Sequence, residues 1–399
     1  DFGADFGGTK LSGNIGLRYV STTVRSGGSF SLPTPEFFDN NGNRDGVVQL
    51  AEVQGSCAFI LANNITPVPG YCGLSAARQA TYASLFTGEV ISDPLNIRYT
   101  NWLPNFNAKL DFGNGVLVRG AISKGISRPD LSAFTSGGGA YDNTNNLRAG
   151  GLLATGPLLA INTGNRFLRP VESVNYDLSV EWYWADIGSL TVSGFVKDIS
   201  NIVNSGAIVR PFVTPKGVNT DILFNTPVNS DGGTLKGVEV AYQQTYDFLP
   251  GLLSGLGAGM TYTYVDAGDF NNASLGSEQS PLSGGLPLAG VSKHTINAVG
   301  FYEKGPLSFR LAYNWRSEFV QTPRDVIFPF SPIYGEATGQ LDGSIFVSVT
   351  KQLKLGIQGV NLLDEVTQTS QVIDFDGTRA TRSAFRNDRR FTFLARFEF

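Results

Sequence analysis

The feature that most constrains this chain is a repeated alternation of apolar and polar residues with a period of two. In the last segment, Phe391, Phe393 and Phe397 take odd positions, whereas Thr392 and Arg396 take even positions. Successive side chains of a β-strand point to opposite faces, so this period is typical of strands with one apolar and one polar face. The pattern recurs in segments of about nine to eleven residues, the length that crosses a bilayer as a tilted strand. The sequence therefore predicts an all-β protein.

The alternation predicts twelve strands, and the connections between them indicate how they run. The strands are expected at residues 10–24, 98–111, 116–126, 170–185, 189–202, 234–247, 256–266, 291–303, 306–319, 339–350, 353–363 and 385–399. Short connections such as 112–115 and 351–352 alternate strictly with long ones, which lie near 25–97, 127–169, 203–233, 267–290, 320–338 and 364–384. Barrels of the outer membrane have short periplasmic turns and long extracellular loops. This alternation predicts an antiparallel transmembrane β-barrel.

The residue types on the two faces favour the same interpretation. Aromatic residues gather near strand ends, as in the interfacial girdles of membrane barrels, although β-strands favour aromatic residues in any case. Charged and amide residues occupy the other face: Lys109, Asp111, Arg119, Asp177, Glu181, Glu239, Gln243, Arg310, Lys354 and Gln358. So many polar groups cannot pack a small dry core, which implies a wide lumen that is wet or plugged.

Composition excludes several other classes of protein. No stretch of 18 apolar residues occurs, which excludes a helical membrane protein. The net charge of −4 argues against a nucleic-acid partner. A single histidine, His294, leaves little for zinc sites or histidine-based catalysis. The chain begins with Asp1 rather than methionine and shows no signal segment at 1–10, which indicates a processed chain or a fragment.

Several short motifs occur in order along the chain. The segment 164–173 reads Gly-Asn-Arg-Phe-Leu-Arg-Pro-Val-Glu-Ser and is followed by Asn-Tyr-Asp at 175–177. The others are Ser127-Arg-Pro129, Phe195-Val-Lys-Asp-Ile199, Gly237-Val-Glu239, Ser292-Lys-His-Thr295, Asn314-Trp-Arg316 and Asn361-Leu-Leu-Asp-Glu365. In order and spacing they resemble the C-terminal half of a TonB-dependent outer-membrane receptor, with one residue inserted before Glu172. The terminal Phe397 and Phe399 are similar to that family's signal for the barrel assembly machinery.

The resemblance implies a Gram-negative outer-membrane location and a barrel of 22 strands with an N-terminal plug. The twelve strands would be the C-terminal portion of that barrel, and the plug would not be in this chain. It further implies a transporter rather than an enzyme, with no required cofactor. Its partners would be a small-molecule nutrient, outer-membrane lipid and lipopolysaccharide, and the TonB complex, which would act through the missing N-terminal part. The cargo is expected to be a carbohydrate; a siderophore or other metal chelate, or another organic nutrient, is the alternative.

Other functional classes fit the sequence less well. A twelve-stranded autotransporter-type translocator would have a helix in its pore and shorter loops than 25–97. An outer-membrane phospholipase would need a Ser–His pair, for which only His294 is available. A soluble adhesin sandwich would turn its apolar face inward and would not alternate short and long connections.

One segment of the longest loop has the spacing of an EF-hand. Residues 41–52 place oxygen donors at loop positions 1, 3, 5, 7, 9 and 12 and a glycine at position 6. The expected Ca²⁺ ligands are Asn41, Asn43, Asp45, the Val47 carbonyl, Gln49 and Glu52. Asn41 stands where Asp is usual, so only two carboxylates remain and the affinity should be low, about 10⁻⁴–10⁻³ M. An Asn/Gly-rich turn explains the same residues, and Asp39 is an alternative ligand.

The remaining expectations also concern the loops. Cys57 and Cys72 are the only cysteines, and we expect them to form a disulfide in an oxidising compartment. Tyr141 and Asn143 combine an aromatic ring with an amide and are candidate substrate-binding residues. A cluster of arginines precedes the final strand and could meet anionic lipopolysaccharide or substrate, or pair with Asp374, Asp376 and Asp388: Arg379, Arg382, Arg386, Arg389 and Arg390.

Overall fold

The computed structural model describes residues 1–39, 44–214, 216–270, 285–323, 325, 331–374 and 376–398. The first strands are β1 (Phe2–Asp5), β2 (Lys10–Ser26), β3 (Ser29–Ser31), β4 (Val90–Ser92), β5 (Leu95–Asp111), β6 (Val116–Ser127), β7 (Gly138–Gly139), β8 (Tyr141–Asp142), β9 (Leu159–Asn162), β10 (Val171–Ala185), β11 (Gly188–Ser200) and β12 (Ile202–Val213). The others are β13 (Asn219–Ser230), β14 (Gly233–Thr245), β15 (Leu256–Asp266), β16 (His294–Lys304), β17 (Leu307–Arg316), β18 (Phe319–Thr322), β19 (Ile333–Gly335), β20 (Thr338–Ser348), β21 (Leu353–Val360), β22 (Val366–Val372), β23 (Arg379–Arg386) and β24 (Arg390–Phe397). The α-helices are α1 (Leu50–Ala62), α2 (Ala76–Ser84) and α3 (Thr144–Ala149). Short 3₁₀ turns lie at Pro35–Phe37, Gly70–Gly73, Leu131–Phe134 and Gly251–Gly255. None of the helices in the described residues is long and apolar enough to cross a membrane.

Thirteen strands form one antiparallel sheet, which we call the wall. Its order is β1-β2-β5-β6-β10-β11-β14-β15-β16-β17-β20-β21-β24. Each of the twelve predicted strands has its counterpart in the wall, and the short β1 is added at one edge, where Phe2 pairs with Gly13 of β2. The predicted all-β antiparallel fold is therefore confirmed, with one strand more than expected.

The strand register separates apolar from polar residues on the two faces of the wall. Val180 of β10 lies opposite Val118 of β6 and Val192 of β11, whereas the neighbouring Glu181 points to the other face and pairs with Arg119. The first face, which we call the apolar face, leaves large side chains exposed: Ile15, Leu17, Phe106, Ile122, Tyr176, Leu178, Val180, Val192, Val196, Val238, Met260, Phe309, Ile345, Leu355, Ile357 and Phe393. An exposed apolar surface of this extent requires a nonaqueous neighbour, as the lipid-facing side of a membrane barrel has.

The long connections are more ordered than the sequence predicts. They carry all three described α-helices, although the periodicity indicates strands only, and they also form small sheets outside the wall. One small sheet has the order β12-β13-β9-β8 and another the order β18-β19-β22-β23. The helices escape a periodicity search because α1 is apolar on most sides, with Phe59 63% and Leu61 59% exposed.

The first three long connections share one hydrophobic core, and we call this assembly the outer unit. Phe30, Val53 and Tyr82 from the first connection pack in the same buried cluster as Leu159 from the second and Ile222 from the third. Burial, together with the Asp142 carboxylate, raises the pKa of Tyr82 well above its ordinary value, so this hydroxyl stays neutral. The outer unit is therefore a packed structure rather than a set of separate loops.

Candidate functional site

The polar face of the wall lines a cavity of about 890 Å³. Charged side chains from neighbouring strands contribute to its lining: Lys109, Arg119, Asp177, Lys197 and Glu239. Such a lining suits water and polar ligands, since charged groups without paired partners cannot be packed dry.

A hydrogen-bonded cluster around Glu181 stiffens this face. Arg119 Nε donates to Glu181 Oε1 at 2.7 Å, and the Tyr183 hydroxyl donates to Glu181 Oε2 at 3.0 Å. Ser179 Oγ lies 3.3 Å from Glu181 Oε1. Because Glu181 is only 8% exposed, these donors balance a largely buried carboxylate. The cluster therefore fixes the positions of these side chains on the polar face.

The outer unit is tied together by one carboxylate shared between two arginines. Asp93 lies just before β5, Arg166 follows β9, and Arg210 lies in β12. Arg210 Nη1 donates to Asp93 Oδ2 at 2.9 Å, and Arg166 Nη2 donates to the same oxygen. Burial alone would raise the pKa of Asp93, but the hydrogen bonds and charges of Arg210 and Arg166 outweigh it and hold this pKa below 3.8, its ordinary value. Asp93 therefore stays ionised and joins three connections.

Three aromatic rings lie around Arg210 of this junction, and of these only Phe167 is exposed. The Arg210 guanidinium carbon lies 5.3 Å from the ring centre of Phe167, 5.0 Å from that of Phe212 and 5.1 Å from that of Phe224. A guanidinium packed among rings keeps its charge while it presents a flat surface. The junction thus combines positive charge with aromatic faces.

A second exposed cluster is neutral. The Tyr141 hydroxyl donates to Asn162 Oδ1 at 3.0 Å and accepts from Asn225 Nδ2 at 2.9 Å. Within the described part of the chain, these contacts use neither the Asn162 amide nitrogen nor the Asn225 carbonyl oxygen, and the Tyr141 ring beside them is 37% exposed. Donors and acceptors next to an aromatic ring suit a polyhydroxylated ligand.

The small sheet β18-β19-β22-β23 also brings a charged group next to an aromatic ring. Arg379 Nη1 lies 2.9 Å from Glu318 Oε2, and its guanidinium carbon lies 3.9 Å from the centre of the Tyr334 ring. Arg382 pairs with Asp325 at 2.8 Å, and Arg386 lies 3.9 Å from Asp364. Glu318 and Asp325 belong to the long connection between β17 and β20, and Asp364 belongs to the same connection as Arg386. These partners differ from Asp374, Asp376 and Asp388, which the sequence offers as alternatives.

Comparison with known proteins decides the family. The family model described as "TonB dependent receptor-like, beta-barrel" matches residues 2–362. The chain belongs to this family. Receptors of this family are transporters rather than enzymes. They lie in the Gram-negative outer membrane, so the predicted family and location are confirmed. A search of curated proteins finds no match.

Solved structures of TonB-dependent receptors share the fold. The ferric enterobactin receptor of Pseudomonas aeruginosa, in complex with BCV-L6, is 18% identical with a TM-score of 0.51 over 77% of this chain and 43% of that one. The ferric-catecholate import receptor Fiu of E. coli K12 is 14% identical with a TM-score of 0.50 over 99% of this chain and 43% of that one. The chain thus spans less than half the length of these receptors.

The predicted disulfide of this TonB-dependent receptor is confirmed. Cys57 in α1 and Cys72 in the turn that follows are joined by an S–S bond. The bond closes the connection between α1 and α2 on one side of the outer unit's core, where Cys57 is buried.

The expected calcium ligands are only partly described by the structure. Asn41 and Asn43 lie outside the described residues. Gln49 precedes α1, and its backbone N–H donates to Glu52 Oε2 at 2.8 Å, which makes Glu52 part of a capping box. Glu52 Oε1 and Asp39 Oδ1 are buried without a hydrogen-bond partner in the described part of the chain. Among the described residues, no group of three or more His, Cys, Asp or Glu side chains could hold a metal ion, so calcium binding stays a prediction.

The other predicted site residues have different surroundings. Asn143 is 1% exposed, and its amide donates to the Pro157 carbonyl at 2.9 Å. The Asn143 side chain therefore supports the loop. Tyr141 is exposed and is the better candidate for a ligand contact, which stays a prediction. Phe397 ends β24 on the apolar face and is 58% exposed, and Phe399 lies outside the described residues.

The sequence analysis missed Asp93, Arg166 and Arg210 as a group. Arg166 belongs to the segment 164–173 that carries the family resemblance, which is a usable signal. Asp93 and Arg210 lie 117 positions apart, and nothing in their local sequences indicates that they meet.

Proposed function

We propose that this chain is the barrel part of a receptor that binds an anionic ferric chelate outside the cell and imports it with energy supplied by TonB. Membership of the TonB-dependent receptor family is the observation that carries this proposal. The TonB complex would act through a part of the receptor other than the described wall. The barrel assembly machinery would recognise the C-terminal segment that contains Phe397 and Phe399.

The chemistry of the outer surface supports a siderophore better than the carbohydrate expected from the sequence. A ferric catecholate carries negative charge and flat aromatic rings. Arg210 beside the exposed Phe167 ring and Arg379 over Tyr334 offer positive charge and stacking surfaces for such a ligand. The structural neighbours are named as receptors for ferric enterobactin and ferric catecholates, which favours the same class.

Uptake of radioactive iron tests this proposal. Iron-starved cells that produce the receptor should accumulate ⁵⁵Fe from ferric enterobactin, and cells without the receptor or without TonB should not. Equal uptake in all three strains would contradict the proposal. Ferric citrate serves as a control for chelates that lack aromatic rings.

A carbohydrate is the second candidate cargo, and the cluster of Tyr141, Asn162 and Asn225 favours it. In this case, loss of the receptor should abolish growth on an oligosaccharide and leave iron uptake unchanged. Tyr141→Ala should then impair growth on that sugar, whereas Arg379→Gln should not.

A further inference from the structure

The apolar face of the wall carries a groove of about 700 Å³. Leu178 of β10 stands at its centre and pairs with Gly120 of β6 on one side and with Gly194 of β11 on the other. A Cβ atom at Gly120 would meet nothing within 4 Å, and one at Gly194 would meet only the Gly237 carbonyl at 3.9 Å. The groove therefore exists because two side chains are missing from an otherwise bulky surface.

Large side chains border the groove on the side nearer the long connections. In the adjacent row, Tyr176 pairs with Ile122 and Val196 on its two sides, and all three line the groove. The space is lined mostly by apolar side chains, and it opens to the side of the wall that faces lipid. Lipid surrounds this face of the wall, so a hydrocarbon chain of a lipid is the expected occupant of the groove.

Two lysines lie at the end of the groove that faces the long connections. Lys236 lines the groove and is 63% exposed, with its Nζ 3.5 Å from Asp266 Oδ2. Lys293 is exposed, and its Nζ lies 5.9 Å from the ring centre of Tyr264, which also lines the groove. Asp266 and Asp198 lie on the same face beside these lysines, so a phosphate here would be held by the two ammonium groups as hydrogen-bond donors and not by a net positive charge.

The position of the lysines in the topology decides which leaflet is involved. Lys236 follows the long connection 201–232, and Lys293 ends the long connection 267–293. Long connections of such barrels lie outside the cell, so both lysines face the outer leaflet. In a Gram-negative outer membrane this leaflet consists of lipopolysaccharide, whose lipid A carries several acyl chains and phosphate groups.

We propose that this groove is a lipopolysaccharide site, with one acyl chain of lipid A beside Leu178 between Gly120 and Gly194, and a lipid A phosphate at Lys236 and Lys293. The site depends on the outer-membrane location of the family and not on the cargo. Its failure would therefore leave the import proposal intact.

Native mass spectrometry of the receptor, purified from outer membranes in detergent and titrated with lipid A, tests the site. The double variant G120L/G194L fills the groove and should bind lipid A about tenfold more weakly. The matched control is G300L, because Gly300 lies on the same face outside the groove and its Cβ would also meet nothing within 4 Å. G300L should bind as the parent protein does.

The charged end is tested separately. K236Q and K293Q should each weaken lipid A binding about fivefold. K197Q is the control, because Lys197 lies on the polar face at a similar height. The double variant K236Q/K293Q lacks both positive charges. Its affinity for phosphorylated lipid A should equal the affinity of the parent protein for lipid A without phosphates.

Three results would overturn the proposal. They are unchanged lipid A binding in folded G120L/G194L, equal binding of phosphorylated and dephosphorylated lipid A by the parent protein, and equal binding of phosphatidylglycerol and lipid A. Mobility in gels with and without heating shows whether each variant is a folded barrel. If the glycine variant does not fold, the comparison of the lipids on the parent protein still decides.

Discussion

Replacement of Asp93 by asparagine should loosen the outer unit without disturbing the wall. Arg166 is only 4% exposed, so the variant leaves a buried guanidinium without its carboxylate. Removal of one partner of a buried pair costs about 3 kcal/mol. Loss of the ion pair between Asp93 and Arg210 adds less to this cost, because Arg210 is 24% exposed and its charge is partly screened by solvent.

Hydrogen exchange measures this effect where it should occur. A loss of about 3 kcal/mol corresponds to roughly 100-fold faster exchange for amides that open with the whole outer unit. We expect this acceleration in α1 and α2 and none in β10 or β11. The four tryptophans, Trp102, Trp182, Trp184 and Trp315, all lie in wall strands, so their fluorescence should be unchanged.

Glu318→Gln is the matched control for this prediction. It also removes a carboxylate from an arginine, but Glu318 is 52% and Arg379 34% exposed, so the cost should be at most about 1 kcal/mol. Equal exchange in Asp93→Asn and in the parent protein would refute the role of the junction, as would equal effects of the two variants.

Three further predictions concern the same outer unit. Because the pKa of Asp93 is lowered in the folded protein, its contribution to stability should be fully present above pH 3.8 and be lost as the pH falls further. The protection of the α2 amides from hydrogen exchange should therefore fall below about pH 4 in the parent protein but not in Asp93→Asn. Replacement of Cys57 and Cys72 by serine opens a loop with a sequence separation of 15 and should destabilise the outer unit by about 3 kcal/mol in urea titrations; an unchanged midpoint would contradict this. Millimolar Ca²⁺ should protect the segment 39–52 from proteolysis in the parent protein and not in Asp45→Asn, and equal cleavage with and without Ca²⁺ would reject the EF-hand interpretation.

The wall could be predicted from the sequence because the membrane constrains every second residue of each strand. Val118, Val180 and Val192 lie side by side in the register, and each is already marked as apolar by its own strand's alternation. The short turns follow for a similar reason, since Gly113 and Gly115 have positive φ angles in the connection between β5 and β6. Local patterns thus contain the information that this part of the fold needs.

The outer unit could not be predicted in this way because its contacts join distant residues. Phe30 packs against Phe212 and Phe224 across nearly two hundred positions, with ring centres 4.9 and 5.9 Å apart. Phe212 lies in β12, which is outside the wall and does not cross the bilayer. The alternation of its residues therefore does not show which face of the strand packs against the core. The Asp93 junction depends on the same long-range packing. The disulfide was predictable because Cys57 has one possible partner.

The central claim is that adjacent residues of one wall strand face lipid and water in turn. Spin labels at Leu178 and Ser179, attached one at a time to introduced cysteines in the reconstituted receptor, test it most directly. Collisions with oxygen, which dissolves in lipid, should dominate at position 178, and collisions with a water-soluble nickel complex should dominate at position 179. Equal accessibility at the two positions, or the reverse order, would contradict the claim.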